Sequence, residues 1–279
     1  MSSRTVVDAH ARLPWWRNRH VLVPLYFSCG GLSGGAFAIG ALAELMHAPG
    51  GDRVATLAYR LAFPLIAFGS LLLLLDLTRP LRFFRLLTRL NPRSPVSLGS
   101  YGLVVYGGLA FLFALAPIAG VASLPRPLVV VALGAALFIA SYTGVLLTAS
   151  SKPAWNASPL MGGIFLALAL ASGAGALILL VLASSASGAD PVPWLRRFLG
   201  ACVGAQALLL AWHLWRIQHV PPAERAGCER LLHGRIGAAF WSALALLFAA
   251  PLALPHALAS ASVLLGGLLF RYAVFLAEE

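Results

Sequence analysis

Charged residues are scarce in this chain of 279 residues, and their scarcity excludes an ordinary soluble domain. Asp, Glu, Lys and Arg together make up only 10% of the sequence, whereas 60% of it is hydrophobic. Soluble domains carry roughly a quarter of their residues as charged side chains, which cover the surface facing water. The composition therefore predicts an integral membrane protein.

Cysteine is also rare, and nothing in the sequence is typical of a metal or haem centre. Cys29, Cys202 and Cys228 show neither a CxxC pair nor another metal-ligand spacing. No Walker, Rossmann or zincin motif occurs. Only His213 of the seven histidines falls clearly within an apolar run, whereas a haem between membrane helices needs two facing histidines. We therefore expect no haem, iron–sulfur cluster or metal ion in this chain.

Long apolar runs make up most of the sequence. A helix needs about 20 residues, within a range of roughly 17–25, to cross the hydrocarbon core. Eight runs reach at least the lower limit of that range, and none shows the short alternation of a barrel strand. We predict an all-α integral membrane protein with eight transmembrane helices, arranged as two four-helix bundles. A single domain covers 1–279, with a basic segment at 1–20, five helices in 21–184 and three in 185–279. The predicted helices are Val21–Met46, Ala55–Leu75, Leu98–Ala119, Pro127–Ala149, Pro159–Ala183, Leu195–Trp215, Ile236–Leu252 and His256–Leu276.

Basic residues are concentrated on one side of these predicted helices. Fifteen of the 20 Lys and Arg residues fall on the side that holds both termini and the even-numbered connections, Arg271 among them. The positive-inside rule then places both termini in the cytoplasm. A basic face also suits an acidic partner, and the two explanations are compatible.

The stretch LLLLLDLTRPLRFFRLLTRLNPRSPVSLG, residues 71–99, ends one apolar run at a carboxylate. Asp76 directly follows five leucines, at a depth where ionised side chains are costly and usually functional. Asp76 can pair with Arg79 and cap the helix end, or it can exchange protons. Composition alone favours neither interpretation.

Three further polar residues lie within or beside apolar runs. Tyr142 lies near the end of the fourth run, on the Asp76 side, where its hydroxyl needs a partner inside the protein. Glu44 and Arg60 flank the short connection HAPGGDR and are expected to meet at similar depth. They form a structural ion pair or a step in a proton path.

One membrane face therefore collects groups that suit a quinone. A quinone has a flat apolar body and two carbonyl oxygens, which become hydroxyls on reduction. Its turnover needs a hydrogen-bond donor and a titratable group. Tyr142 is the candidate donor and Asp76 the candidate proton acceptor. The other candidates at this face are His20, Tyr26 and Arg79.

The order of motifs resembles the NrfD/PsrC family, the membrane subunits of polysulfide-reductase-type complexes. The matching stretches are YFSCGGLSGGAF, LLDLTRPLRF, NPRSPVSLGSY, SYTGVLLTASSKPAWN and GRIGAAFW, and they cover nearly the whole sequence in order. The resemblance implies a haem-free anchor in the bacterial inner membrane that binds ubiquinone or menaquinone. It implies docking to a four-cluster ferredoxin-like iron–sulfur subunit, usually with a molybdopterin catalytic subunit. Asp76 and Tyr142 match positions that line the quinone pocket.

On this interpretation the basic face holds the iron–sulfur partner, and electrons pass between that partner and the membrane quinone pool. The alternatives are a proton-coupled transporter or a proton-translocating subunit, with Glu44, Arg60 and Asp76 along its path; a transporter would favour broken helices and inverted repeats. The docking residues expected on the basic face are Arg82, Arg85, Arg89, Arg93 and Lys152.

Overall fold

The computed structural model describes residues 19–76, 94–121, 124–148, 160–184, 188–219, 222–234 and 236–277. All regular secondary structure within these ranges is helical, as the apolar runs predicted. The α-helices are α1 (Arg19–Leu45), α2 (Gly51–Asp76), α3 (Pro95–Leu115), α4 (Arg126–Thr148), α5 (Met161–Ala183), α6 (Val192–Ile217), α7 (Pro222–His233), α8 (Gly237–Leu244), α9 (Ala250–Ala253) and α10 (His256–Leu276).

Seven of the described helices, α1 to α6 and α10, are long and apolar enough to cross a membrane. The remaining predicted run forms a shorter apolar stretch, Gly237–Ala253. Within it, α8 continues through a π-helical turn, Ala245–Ala249, into α9. At 1.5 Å per residue this stretch is about 25 Å long, less than the roughly 30 Å of hydrocarbon. The described residues therefore supply seven of the eight predicted spans.

Helix α7 occupies a segment that the sequence suggested was a loop. Pro222 is its first residue, a position where the missing backbone N–H costs nothing and the fixed φ angle suits a helix. Alanine, glutamate and arginine, which dominate the following residues, are good helix formers. The two prolines and the charged residues of PPAERAGCER are typical of a loop, but the helix formers among them outweigh this pattern.

Helices α1 to α6 alternate in direction and α10 runs the same way as α6, so the ends of the spanning helices define two faces of the molecule. The starts of α1, α3 and α5 and the ends of α2, α4, α6 and α10 lie at one end, here called the Tyr142 face. The other end is the opposite face. Helix α1 packs against α2, α4, α5 and α10, so helices of both predicted halves share it.

The glycines of CGGLSGG permit this central position of α1. A Cβ atom on Gly34 would lie 2.7 Å from the carbonyl oxygen of Ala136 in α4. A Cβ atom on Gly35 would overlap the carbonyl group of Ala169 in α5. Only a residue without a side chain fits such backbone contacts. Gly30 with Gly34 and Gly31 with Gly35 have the four-residue spacing of small residues that lets helix backbones approach closely.

The connection between α1 and α2 is a tight turn at the opposite face. His47 and Gly50 both adopt positive φ angles, 50° and 66°. A Cβ atom on Gly50 would come within 2.6 Å of the carbonyl oxygen of Ala189, so glycine is required there for two reasons. The turn brings the end of α1 beside the start of α2.

Candidate ligand-binding cleft

Helices α1 to α4 enclose a cleft at the Tyr142 face, with a volume of about 140 Å³. Most of its wall is apolar, and hydroxyl-bearing side chains interrupt that wall. The lining residues are Tyr26, Phe27, Gly30, Ile66, Gly69, Ser70, Leu73, Val96, Gly99, Ser100, Leu103, Ile139, Tyr142, Thr143 and Leu146.

Tyr142 is held in place by the start of α3. Its hydroxyl donates a hydrogen bond to the carbonyl oxygen of Pro95 at 2.9 Å. Ser94 is the N-cap of α3 and Pro95 stands in its first turn, a combination that favours helix initiation at this point. A Cβ atom on Gly99 would overlap the phenol ring, so this glycine makes the space that Tyr142 fills.

Three hydroxyl groups of the cleft wall, those of Ser70, Ser100 and Tyr142, donate their hydrogens to backbone carbonyl oxygens. Ser70 Oγ donates to the carbonyl oxygen of Ile66 at 2.7 Å, and Ser100 Oγ donates to that of Val96 at 2.9 Å. Each hydroxyl has one hydrogen to donate and two lone pairs. Because the backbone takes the hydrogen in both serines and in Tyr142, their lone pairs remain for a ligand that carries O–H or N–H groups.

A groove between α2 and α3 extends the cleft. It has a volume of about 220 Å³ and shares Ser70, Leu73 and Leu103 with the cleft. Gly107 and Gly108 also line it, and a Cβ atom on either glycine would meet nothing within 4 Å. The groove is almost entirely apolar and lies on the side of the bundle that faces lipid, so it has the character needed to hold a hydrocarbon tail.

The structure places two of the predicted site residues in the cleft wall, Tyr26 and Tyr142. Asp76 is the last residue of α2, half-buried, one helical turn beyond the lining residue Leu73. His20 lies in the first turn of α1, and the described side chains do not include it. The remaining predicted quinone or docking residues lie outside the described residues: Arg79, Arg82, Arg85, Arg89, Arg93 and Lys152.

The expected pairing of Glu44 with Arg60 is replaced by another contact. The hydroxyl of Tyr59 donates to Glu44 Oε2 at 2.6 Å, whereas the Arg60 side chain is exposed. Adjacent residues of a helix point about 100° apart, so the same turn cannot direct both side chains towards α1. Glu44 does lie at the depth of the α2 turn that carries Arg60, as predicted. The rotation of α2 about its axis makes Tyr59, and not Arg60, the partner of Glu44.

Glu44 and Tyr59 line a second, more polar cavity of about 330 Å³ at the opposite face. His47, Asp52 and Arg126 also line it, and Arg126 Nη2 lies 2.5 Å from His47 Nε2. Among the described residues, this cavity brings together more ionisable side chains than the cleft does.

Between the cleft and this cavity lies a buried hydroxyl pair that the sequence did not single out. Ser33 Oγ donates to the carbonyl oxygen of Ala62 at 2.7 Å, and Tyr106 OH lies 2.8 Å from Ser33 Oγ. Because the serine hydrogen goes to Ala62, Tyr106 donates to Ser33. Both side chains are fully buried. The available signal was a tyrosine in the middle of an apolar run.

Arg271 is buried within the helices, although the sequence count assigned it to the basic face. Only 3% of it is exposed. Its Nη1 donates to the carbonyl oxygen of Gly267 at 3.3 Å, and its guanidinium carbon lies 6.0 Å from the ring centre of Phe165. A Cβ atom on Gly31 would overlap Nη2. Within the described part of the protein, Arg271 Nε has no hydrogen-bond partner.

Seven apolar spanning helices among the described residues define a polytopic helical membrane protein, and the apolar cleft with hydroxyl-bearing residues is its candidate ligand site. Comparison with known families agrees with that class. The family model described as "Polysulphide reductase, NrfD" matches residues 6–278, and the chain belongs to this family.

A curated relative supports the family assignment. The C subunit of polysulfide reductase from Wolinella succinogenes is 32% identical to this protein over 169 residues. The match covers 53% of this sequence and 53% of the relative, so it spans about half the length of that protein.

Proposed function

We propose that this protein is the quinone- or quinol-binding membrane anchor of a respiratory oxidoreductase complex. It exchanges electrons between the membrane quinone pool and an iron–sulfur partner subunit. The observation that carries the proposal is the apolar cleft whose wall includes hydroxyl-bearing side chains and continues into an apolar groove between α2 and α3. Membership of the polysulfide reductase NrfD family supports a place in such a complex.

The residues of the cleft fit a quinone of either redox state. A bound quinone accepts two electrons and two protons and becomes a quinol with two O–H groups. Flat apolar walls suit its ring, and the groove between α2 and α3 suits its isoprenoid tail. The acceptor lone pairs of Ser70, Ser100 and Tyr142 suit the O–H donors of the quinol. Rotation of the Tyr142 hydroxyl away from Pro95 turns it into a donor to a quinone carbonyl.

Asp76 is the proposed group for proton exchange. It ends α2 at the Tyr142 face, one turn from the cleft wall, and a carboxylate at that depth takes and releases protons through nearby water. During quinol oxidation it accepts a proton as an electron leaves, and during quinone reduction it returns one. Arg79, His20 and Tyr26 are proposed to orient the ring or the carboxylate.

The electron partner docks at the Tyr142 face, because a short distance from the cleft is needed for electron transfer. The partner is a four-cluster ferredoxin-like iron–sulfur subunit, and a molybdopterin subunit carries the terminal reaction. We place the complex in the bacterial inner membrane, with the termini of this protein in the cytoplasm. The proposed docking residues follow Asp76 and Thr148 in the sequence and are Arg82, Arg85, Arg89, Arg93 and Lys152.

Purification from native membranes tests this assignment. We expect the protein to copurify with an iron–sulfur subunit and with extractable quinone, and the complex to reduce or oxidise added quinone. A protein that is isolated alone and moves a solute into sealed vesicles would instead support a transporter.

The groove yields a sharper prediction. Gly107→Leu adds a branched side chain where the structure has open space beside Leu73 and Val104. We expect turnover with a long-tailed quinone to fall about tenfold, because the added side chain blocks the tail and costs roughly 1–3 kcal/mol of binding. Turnover with a short-tailed quinone analogue should be unchanged, and steady-state kinetics of the complex with both quinones gives the ratio.

Gly134→Leu is the matched control, since Gly134 lies on α4 with nothing within 4 Å of an added Cβ atom. It should leave both activities at the wild-type level. Equal losses with long and short tails in Gly107→Leu would show that the tail does not use this groove.

A proton-translocating role is the second candidate, and the polar cavity at the opposite face favours it. Glu44, held by Tyr59, lies in that cavity, and the Ser33–Tyr106 pair lies between the cavity and the cleft. In vesicles containing the complex, turnover coupled to proton movement from one face to the other would favour this role. Proton exchange at the Tyr142 face alone would exclude it.

A further inference from the structure

We propose that a cleft at the opposite face, between the starts of α2, α6 and α10 and the end of α5, binds the phosphate group of an anionic phospholipid. This basic cleft has a volume of about 530 Å³. Its polar lining residues are Arg53, Ser184, Asp190, Arg196 and His256. It does not overlap the proposed quinone cleft, which lies at the other end of the spanning helices.

The basic cleft lies at the depth of lipid phosphates. His256 is the first residue of α10, Arg53 the third of α2 and Arg196 the fifth of α6. Ser184 directly follows α5. These positions fall in the first or last turns of spanning helices, which meet the boundary between hydrocarbon and headgroups.

The backbone around the cleft has an excess of positive partial charge. Helices α2, α6 and α10 begin there, and the N-terminus of a helix carries a positive partial charge. Helix α5 ends there with the opposite sign, and α9 ends at Ala253, three residues before His256. Arg53 Nη2 donates to the carbonyl oxygens of Val181 and Ser184 at 2.9 and 2.7 Å. Arg53 thereby offsets the negative end of α5. Asp190 accepts from a backbone N–H in the first turn of α6, whereas the first turn of α10 has no acidic residue.

Two basic side chains from different helices meet at the mouth of the cleft. Arg196 Nη1 lies 3.1 Å from His256 Nε2, and both side chains are exposed. A guanidinium only donates, so this contact requires an unprotonated Nε2 on the imidazole. The contact uses one of the five N–H donors of Arg196. The remaining donors form a planar fork, a geometry that suits phosphate oxygens.

Asp190 offsets part of this charge, but the two arginines of the lining, Arg53 and Arg196, outnumber it. Among the lining residues it is the carboxylate, and its Oδ1 accepts a hydrogen bond from the backbone N–H of Val192 at 3.0 Å. That contact directs the carboxylate towards the first turn of α6. An anion beside Arg196 and His256 therefore faces a basic surface.

Apolar side chains beside the cleft identify a lipid, and not a soluble anion, as the occupant. Leu182 at the end of α5 and Leu258 at the start of α10 are about half exposed, at 50% and 57%. Both lie within one turn of cleft residues, on the hydrocarbon side. Acyl chains cover such leucines while the phosphate reaches the arginine, and basic pockets between spanning helices are typical sites for anionic headgroups.

Lipid retention by the purified full-length protein tests the proposal. The protein is incubated in detergent with phosphatidylglycerol or with phosphatidylcholine, and bound lipid is measured by native mass spectrometry. We expect preferential retention of phosphatidylglycerol by the wild type. In Arg196→Gln, phosphatidylglycerol affinity should fall about fivefold, the contribution of one arginine at a lipid surface. Arg196→Lys should retain most of it.

Arg197→Gln is the matched control, because Arg197 is the next residue of the same helix, is also exposed, and lines a different groove with Trp194 and Phe198. It should retain phosphatidylglycerol as the wild type does. Equal loss in both variants, equal retention of both lipids by the wild type, or displacement of phosphatidylglycerol by inorganic phosphate would each overturn the proposal. The measurement requires no turnover, so it is independent of quinone chemistry.

Discussion

Asp76→Asn is expected to reduce quinone-linked turnover at least about 100-fold, the usual contribution of a positioned general acid or base. Asparagine has nearly the same shape but cannot carry a proton, so assembly with the partner subunits should be unaffected. Tyr142→Phe is expected to have a similar effect, because it removes the hydroxyl that lines the cleft. Steady-state turnover of the purified complex with quinol measures both, and gel filtration checks assembly.

Glu229→Gln provides the control for Asp76→Asn. Glu229 is an exposed carboxylate on α7, the helix that follows α6 beyond the Tyr142 face, and it is not part of the cleft wall. It should retain wild-type turnover. Full activity of Asp76→Asn and Tyr142→Phe would place the quinone elsewhere. Loss of turnover in Tyr142→Phe alone would leave proton exchange to another group.

Gly35→Ala is expected to lower the thermal stability of the protein strongly, although it adds only one methyl group. The new Cβ atom would overlap the carbonyl group of Ala169, which belongs to the backbone of α5 and has no alternative rotamer. The two helices must then separate, which costs about 1–3 kcal/mol or more. Thermal unfolding in detergent, followed by size-exclusion chromatography or circular dichroism, measures the decrease in Tm.

Gly204→Ala makes the same chemical change where the structure has room. Gly204 lies within α6, exposed, with nothing within 4 Å of an added Cβ atom. Alanine is a better helix former than glycine by about 1 kcal/mol, so the Tm should stay the same or rise. A decrease of similar size in both variants would mean that the contact between α1 and α5 is looser than the structure has it.

The location of the candidate site at one face was predictable from the sequence, but its hydrogen bonds were not. Tyr26 and Tyr142 were predicted at one face because antiparallel spans bring their ends together, and both line the cleft. The acceptor arrangement was not predictable, since it depends on which backbone carbonyls take the hydroxyl hydrogens of Ser70 and Ser100. The third helix was predicted to begin at Leu98, whereas α3 begins at Pro95 after the N-cap Ser94. The contact of this helix start with Tyr142 was not predicted.

For two arginines, Arg60 and Arg271, the sequence did not predict the surroundings of the side chain. Arg60 was expected to pair with Glu44, but it is exposed while Tyr59 makes that contact. Arg271 was counted with the basic face, but it is buried among α1, α5 and α10, beside Gly31 and Phe165. In both cases the position along the helix was available from the sequence, whereas the direction of the side chain depends on neighbouring helices.

The sequence by itself determined that this is an all-helical membrane protein, because hydropathy adds up locally and a run of sufficient length must cross the bilayer as a helix. It also determined the close contacts of the CGGLSGG glycines, because the spacing of small residues is a local property. Tertiary structure alone decided the partner of Glu44, the burial of Arg271 and the basic cleft at the opposite face. These depend on the rotation of each helix against residues far away in the sequence, and no local pattern encodes that rotation.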